Sequence, residues 1–224
     1  VPYWEGENIP VDYDTAQKVG LFRNLVKHGS LLMHNKIISE LDFNIIPDEK
    51  TIVIESIRTD RNVVIHACFG TKINSTLATI LASLLESVLG HIVESRSDAY
   101  RIVLESNARI SKKIIVETLS DNFVLNDIVS TSLIRTHNLN WRTWCVAKKF
   151  GIVGRGAIYD RKTGHFMHEK YQNTSVVREA LRELFHDKFD LKGTEIILNR
   201  IRSNEIQIEW FDVNKFSKLA EPLL

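Results

Sequence analysis

Thr51-Ile52-Val53-Ile54-Glu55-Ser56-Ile57 and Asn62-Val63-Val64-Ile65-His66-Ala67-Cys68 are two β-branched runs separated by the polar Arg58-Thr59-Asp60-Arg61. β-branched side chains fit a pleated surface, so the pair predicts a hairpin. The period then changes. From Ile73 to Val88 the apolar residues Ile73, Leu77, Ile80, Leu81, Leu84, Leu85 and Val88 recur at helical spacing, with the small Ala78 and Ala82 beside them. That stripe predicts a long helix laid on the hairpin. His91–Glu94 and Ala99–Glu105 predict two further strands around the turn Ser95-Arg96-Ser97-Asp98.

On the N-terminal side, Pro2 and Pro10 favour an extended lead-in. Asp14 or Thr15 is placed to cap a helix ending near Gly29, with Ala16, Val19, Phe22, Leu25 and Val26 on one face. A second short helix is expected over Leu31–Leu41, then a turn at Pro47-Asp48. On the C-terminal side the pattern becomes helical. Ile110–Leu119, Phe123–Ile134 and Leu139–Phe150 have helical spacing; Thr174-Ser175 can cap Val176–Phe189, and Asp190 a helix carrying Ile196, Ile197 and Ile201. Ile206-Gln207-Ile208-Glu209-Trp210 alternates and predicts a closing strand. The expected class is α+β: a small mixed or antiparallel sheet packed on a long helix, then a mainly helical half with a closing strand. The expected boundary lies at Asn107–Ser111, dividing an α+β half (1–107) from a helical half (108–224) packed together as one domain.

A chain of 224 residues, 44% apolar and 25% charged, can bury a core and has no run long enough to span a membrane. The polar start shows no signal peptide, and Val1 in place of Met points to a piece of something longer. Two cysteines, Cys68 and Cys145, make neither a disulfide framework nor a zinc pattern, and cytoplasmic residence is expected. No phosphate-binding loop, nucleophile elbow or zinc-protease helix is present, so the piece is expected to be non-catalytic by itself, with no cofactor.

Charge is segregated. Between residues 135 and 171, Arg135, Arg142, Lys148, Lys149, Arg155, Arg161, Lys162 and Lys170 stand against Asp160 and Glu169. That is a net +6 in a chain whose total is +1. Trp141, Trp144, Phe150, Tyr159, Phe166 and Tyr171 are interleaved with these cations. Cations neutralise phosphates and aromatic faces stack on bases, so the region reads as a nucleic-acid-contacting surface. Its candidate contacts are Arg142, Trp144, Lys148, Lys149, Arg155, Arg161 and Lys162. Helical spacing puts Leu139, Val146 and Phe150 on the core side, and Trp141, Trp144 or Cys145, and Lys148 on a second stripe. The alternative is that both tryptophans are core aromatics beneath a solvated basic face.

Elsewhere, Gly70-Thr71-Lys72 enters the long helix, whose N-terminal amides together with Lys72 could hold a phosphate. Otherwise Gly70 makes the turn, Thr71 caps the helix and Lys72 is solvated. His66 and Cys68 share a strand face, and His165 and His168 stand three apart on a candidate helix; neither pair completes a metal site. The acid pairs Glu5/Glu7 and Asp12/Asp14 read as solvated surface.

Several stretches resemble one family in order along nearly the whole chain. These are Val1-Pro2-x-Trp4-x-Gly6-Glu7, Thr51-Ile52-Val53-Ile54-Glu55, His66-x-x-Phe69-Gly70-x-Lys72-x-Asn74 and Tyr100-Arg101-Ile102, then Trp141-Arg142-x-x-x-Val146-Ala147-Lys148-Lys149-Phe150-Gly151, Val177-x-Glu179-Ala180-Leu181-Arg182-Glu183 and Ile197-Leu198-x-Arg200-Ile201-Arg202-Ser203-x-Glu205-Ile206. The pattern resembles the accessory, DEAD/H-associated region of Lhr-type (large helicase-related) helicases, closest to archaeal members. The resemblance implies a longer protein of the DEAD/H-box superfamily with two RecA-like motor domains and a winged helix. ATP and Mg are bound and ATP hydrolysed in the motors. The accessory region helps to grip single-stranded or forked DNA, or a DNA–RNA hybrid, during unwinding in DNA repair. The implied partners are nucleic acid and the motor and winged-helix domains, with no membrane. A different expectation from the same sequence is a structural module that braces the motors or docks a repair partner without touching nucleic acid.

Overall fold

The computed structural model describes residues 9–28, 46–57, 61–121, 124–134 and 137–220. The helix expected over 31–41, the lead-in motif at 1–7 and most of the hairpin turn lie outside them. Among the described residues, contacts divide the chain into two compact units, 1–123 with 191–224, and 124–190. The division therefore does not fall at 107: the last helix and strand return to the sheet.

In the first unit, β1 (Thr51–Ile57), β2 (Asn62–His66), β3 (Val93–Ser97), β4 (Arg101–Ser106) and β5 (Gln207–Val213) form one sheet in the order β3-β4-β2-β1-β5. All neighbours are antiparallel except β5, which runs parallel to β1 with Ile52 opposite Ile208. The sheet is therefore mixed. The β3–β4 turn falls later than the spacing suggested, at Asp98–Tyr100, because Asp98 closes it: its Oδ1 accepts from Tyr100 N at 2.8 Å and its Oδ2 from Arg101 Nε at 2.9 Å. Ser95 and Arg96 are thereby left in the ladder, opposite Leu104 and Val103.

Strand alternation gives this sheet two buried faces. One carries Ile52, Ile54, Val63, Ile65, Ile102 and Leu104, all buried, on the side of α2 (Thr71–Leu89). Helix α2 buries Ile73, Leu77, Ile80, Leu81 and Leu85 as expected, but Val88 at its end is exposed. Among the described residues this unit also holds α1 (Tyr13–Lys27), α3 (Lys112–Ser120) and α8 (Leu191–Arg202), and α8 packs on α2 and α3. Arg202 fixes that packing, donating to the end carbonyls Ser120 O and Asp121 O of α3. The opposite face is covered by residues 214–220, where Phe216 and Ala220 pack on Val64 and Val103. The α1 cap is Asp12 rather than Asp14 or Thr15: its Oδ1 accepts from Thr15 N at 2.8 Å. Helix α1 buries Ala16, Gly20 and Val26, and leaves Phe22 and Leu25 exposed. A Cβ on Gly20 would stand 2.8 Å from Glu49 N, so the close approach of the 48–49 backbone sets which face turns inward.

The second unit holds α4 (Leu125–Ile134), α5 (His137–Lys149), α6 (Arg161–Tyr171) and α7 (Ser175–Lys188). Leu139, Trp144, Val146, Ala147, Met167, Val176, Ala180 and Leu184 form its core. Thr174 caps α7 as expected, its Oγ1 accepting from Val176 N. Phe150, expected in the core, is 55% exposed. It stands at the very end of the helix, its N–H still bonding Val146 O, and Gly151 closes the helix just beyond it at φ +73°, with its own N–H on Lys148 O and Ile152 N on Ala147 O. No helix among the described residues is long and apolar enough to cross a membrane.

Candidate nucleic-acid interface

The structure splits the candidate residues between the units. Lys72 belongs to the sheet unit; Arg142, Trp144, Lys148, Lys149, Arg155, Arg161 and Lys162 belong to the helical unit.

At the start of α2 the phosphate reading finds its first amide taken. Thr71 N donates to Val11 O at 2.8 Å, and Thr71 Oγ1 accepts from Val11 N at 2.9 Å. Gly70, not Thr71, is the cap residue, at φ +85°, and a Cβ there would lie 2.8 Å from Val11 O. The lead-in strand thus seals this helix end. Asn74 completes the joint, its Nδ2 donating to Ala67 O and Asp98 O, both at 3.0 Å. Within the motif from His66 to Asn74, Gly70, Thr71 and Asn74 thus each make a structural contact. His66 is buried and bonds Glu55, with Nε2 and Oε1 2.6 Å apart, while Cys68 and Cys145 are free thiols.

In the helical unit, two of the cations are held internally. Glu183 of α7 accepts from Arg142 Nη1 at 3.1 Å and from Lys149 Nζ at 2.7 Å. Asp187 reaches Arg142 Nη2 at 2.8 Å. Hydrogen bonding to Lys149 is the chief cause of the downward shift in the Glu183 pKa, against a desolvation that works the other way. Residues 124–190 contain eleven Lys and Arg against seven Asp and Glu, so the unit stays positive despite these acids. Arg155, Arg161 and Lys162 are exposed and make no ion pair or side-chain hydrogen bond among the described residues. Asp160 caps α6, accepting from Thr163 N and Thr163 Oγ1, and these bonds depress its pKa. Lys170 Nζ stands 5.7 Å from the Phe166 ring centroid.

The same unit holds an aromatic cluster. Trp144 is 5% exposed, while Trp141 is 43% exposed. The two indoles stack at 5.6 Å with a 19° interplanar angle, and Tyr159 meets both edge-on, at 4.8 and 5.5 Å. Lys148 Nζ lies 4.7 Å from the Trp144 ring centroid and donates to Ala157 O at 3.1 Å. Trp144 is thus a core residue covered by Trp141, Tyr159 and Lys148, and the ring within reach of a ligand is Trp141. Gly164 makes room for the cluster, since a Cβ there would fall 2.5 Å from Tyr159 Cε2. Helical spacing put Trp141 and Trp144 on one stripe; only packing distinguishes the supporting ring from the accessible one. The same limit applies to Glu183 and Asp187, whose spacing on α7 gives no sign that they partner α5.

The comparisons follow the chain end to end. It is 22% identical over 96% of its length to the ATP-dependent helicase Lhr-Core of Sulfolobus acidocaldarius, and 23% identical over 94% to that of Saccharolobus solfataricus. A Methanocaldococcus jannaschii protein of the same name is 23% identical over 92%. The chain spans 28–29% of the length of these relatives. Among solved structures, Mycobacterium smegmatis helicase Lhr bound to ssDNA and AMP-PNP matches the whole chain and 33% of its own, with a TM-score of 0.74 at 16% identity, which establishes a shared fold. The profile of the DEAD/H associated family matches residues 46–220, more than three quarters of the chain, and the chain belongs to that family.

Proposed function

We propose that this chain is the accessory domain of an ATP-dependent, DEAD/H-box-superfamily helicase of the Lhr type, and that its helical unit helps to hold single-stranded or forked nucleic acid during unwinding. The observation that carries the reading is the set of exposed cations Arg155, Arg161 and Lys162, outside the ion pairs described above, in the same unit as Lys148 and the aromatic cluster. Family membership and the shared fold with an ssDNA-bound Lhr helicase support it. ATP and Mg belong, in this reading, to motor domains elsewhere in the longer protein.

Phosphate contacts release counterions, so affinity falls with salt at a slope of about 0.7 per contact on a single strand. The test is fluorescence-anisotropy titration of the chain with labelled single-stranded DNA at two salt concentrations. Replacing Arg155, Arg161 and Lys162 together by Gln is expected to flatten the slope by about two. An unchanged slope contradicts the reading.

One observation favours a second reading, a brace or docking surface. Phe150, Ile152 and Ile158 are exposed in one segment, Ile158 at 89%. In that case the chain does not shift on DNA, and heparin displaces a bound protein partner weakly.

A further inference from the structure

We propose that Trp141 is a base-stacking platform, built by the ring beneath it. The inference rests on the nucleic-acid reading above and names the residue that would contact a base. One face of the Trp141 indole is packed on Trp144 at 5.6 Å and near-parallel, and Tyr159 meets it edge-on at 4.8 Å. Trp144 beneath is itself in the core with Val146, Ala147, Met167 and Ala180. The ring is therefore held from one side and one edge, and the 43% of Trp141 left exposed lies away from them.

Seated on a buried indole, the Trp141 ring has lost its freedom before any ligand arrives, so little entropy remains to be lost on stacking. A nucleobase placed on that side would extend the stack from two rings to three at offset-stacked distance. Lys148, seven residues on and 4.7 Å from the Trp144 ring, supplies a cation beside the stack for an adjacent phosphate. Every base has a π-face, so the site is indifferent to sequence, as a translocating strand requires. Phe166 does not offer this geometry: it is exposed and approached by Lys170, and among the described residues no ring packs on it.

The test compares the wild-type chain with Trp141→Leu and Trp141→Phe on three strands of equal length. These are oligo-dT, oligo-U, and a fully abasic deoxy strand that keeps every phosphate. Leu preserves apolar bulk over Trp144 without a π-face, and Phe restores one. Trp141→Leu is expected to bind the base-bearing strand about 5- to 150-fold more weakly, Trp141→Phe to recover most of that loss, and all three proteins to bind the abasic strand alike. Whether oligo-dT or oligo-U shows the larger loss identifies the strand type. Equal binding of wild type and Trp141→Leu to base-bearing strands overturns the proposal, as does an equal loss on the abasic strand. If the salt slope still responds to Arg155, Arg161 and Lys162, only the platform has failed. If the wild type binds none of the strands, the nucleic-acid reading falls with it.

Discussion

Glu183→Gln separates the two roles of the basic segment, because stability and nucleic-acid affinity should move in opposite directions. Glu183 is 18% exposed and holds Arg142, 23% exposed, and Lys149, 63% exposed. The Lys149 bond is largely solvent-screened and contributes little; the Arg142 bond is half-buried, with Arg142 Nε already lacking a partner. Exposed pairs contribute about 0–1 kcal/mol and buried ones cost about 3–5 kcal/mol to break, so this site falls near the lower end, about 1 kcal/mol. The helical unit has only 67 residues, and at that size 1 kcal/mol moves Tm by about 4–8 °C. Removal of the charge also frees Lys149 and adds one positive charge to the unit. The expected result is a lower melting temperature with tighter, more salt-sensitive binding of single-stranded DNA, the slope steepening by about 0.7. Calorimetry and anisotropy at two salts measure both. A variant that melts lower and binds more weakly would refute the argument, because Arg142 and Lys149 would then need Glu183 to be placed for contact. The stability loss should fade in acid. The Glu183 pKa is depressed in the fold, so its contribution is present above the unfolded carboxylate pKa and is lost as pH falls through the folded one.

Two further predictions concern the sheet unit. Glu55→Ala removes the acceptor of His66 Nε2 (2.6 Å), Ser217 N (2.7 Å) and Ser217 Oγ (2.5 Å), where Glu55 and His66 are buried and Ser217 is half-buried; it should cost about 3 kcal/mol or more, against about 1 for Ser217→Ala, and equal losses in denaturant titrations would show that the carboxylate is not the anchor. Burial pushes the Glu55 pKa up and is outweighed by the bonds from His66 and Ser217, so the shift is downward and the gap between wild type and Glu55→Gln should close as pH falls through the folded pKa. Gly70→Ala and Gly90→Ala both place a side chain at positive φ, but Cβ meets Val11 O at 2.8 Å only at position 70. Both should lose about 1–2 kcal/mol from the left-handed backbone, with a clearly larger drop in Tm at 70; equal losses would mean that the lead-in strand yields without cost.

Much of the architecture could be read from period alone. The hairpin, the long helix, the capped α7 and the closing strand each announce themselves through two- or 3.6-residue spacing, which depends only on neighbours in the chain. The structure departs from the spacing where a single side-chain contact, or the return of a distant strand, outweighed local pattern. Asp98 took over the β3–β4 turn through Tyr100 and Arg101, and β5 returned to lie beside β1, carrying α8 into the sheet unit. Charge segregation likewise belongs to composition, and the sequence by itself determined that residues 135–171 are basic and aromatic. Which of those groups a partner can reach is not a property of spacing. The tertiary structure decided that Glu183 and Asp187 neutralise Arg142 and Lys149, that Trp144 lies beneath Trp141, and that Val11 seals the helix end beside Lys72. Trp141 and Trp144 share one helix stripe and are told apart only by burial, while the ion pairs and the helix end have one physical reason. Pairing, burial and capping depend on which element lies opposite, at distances of 3 to 6 Å, and residues 41 or 60 positions away leave no periodic trace at either end.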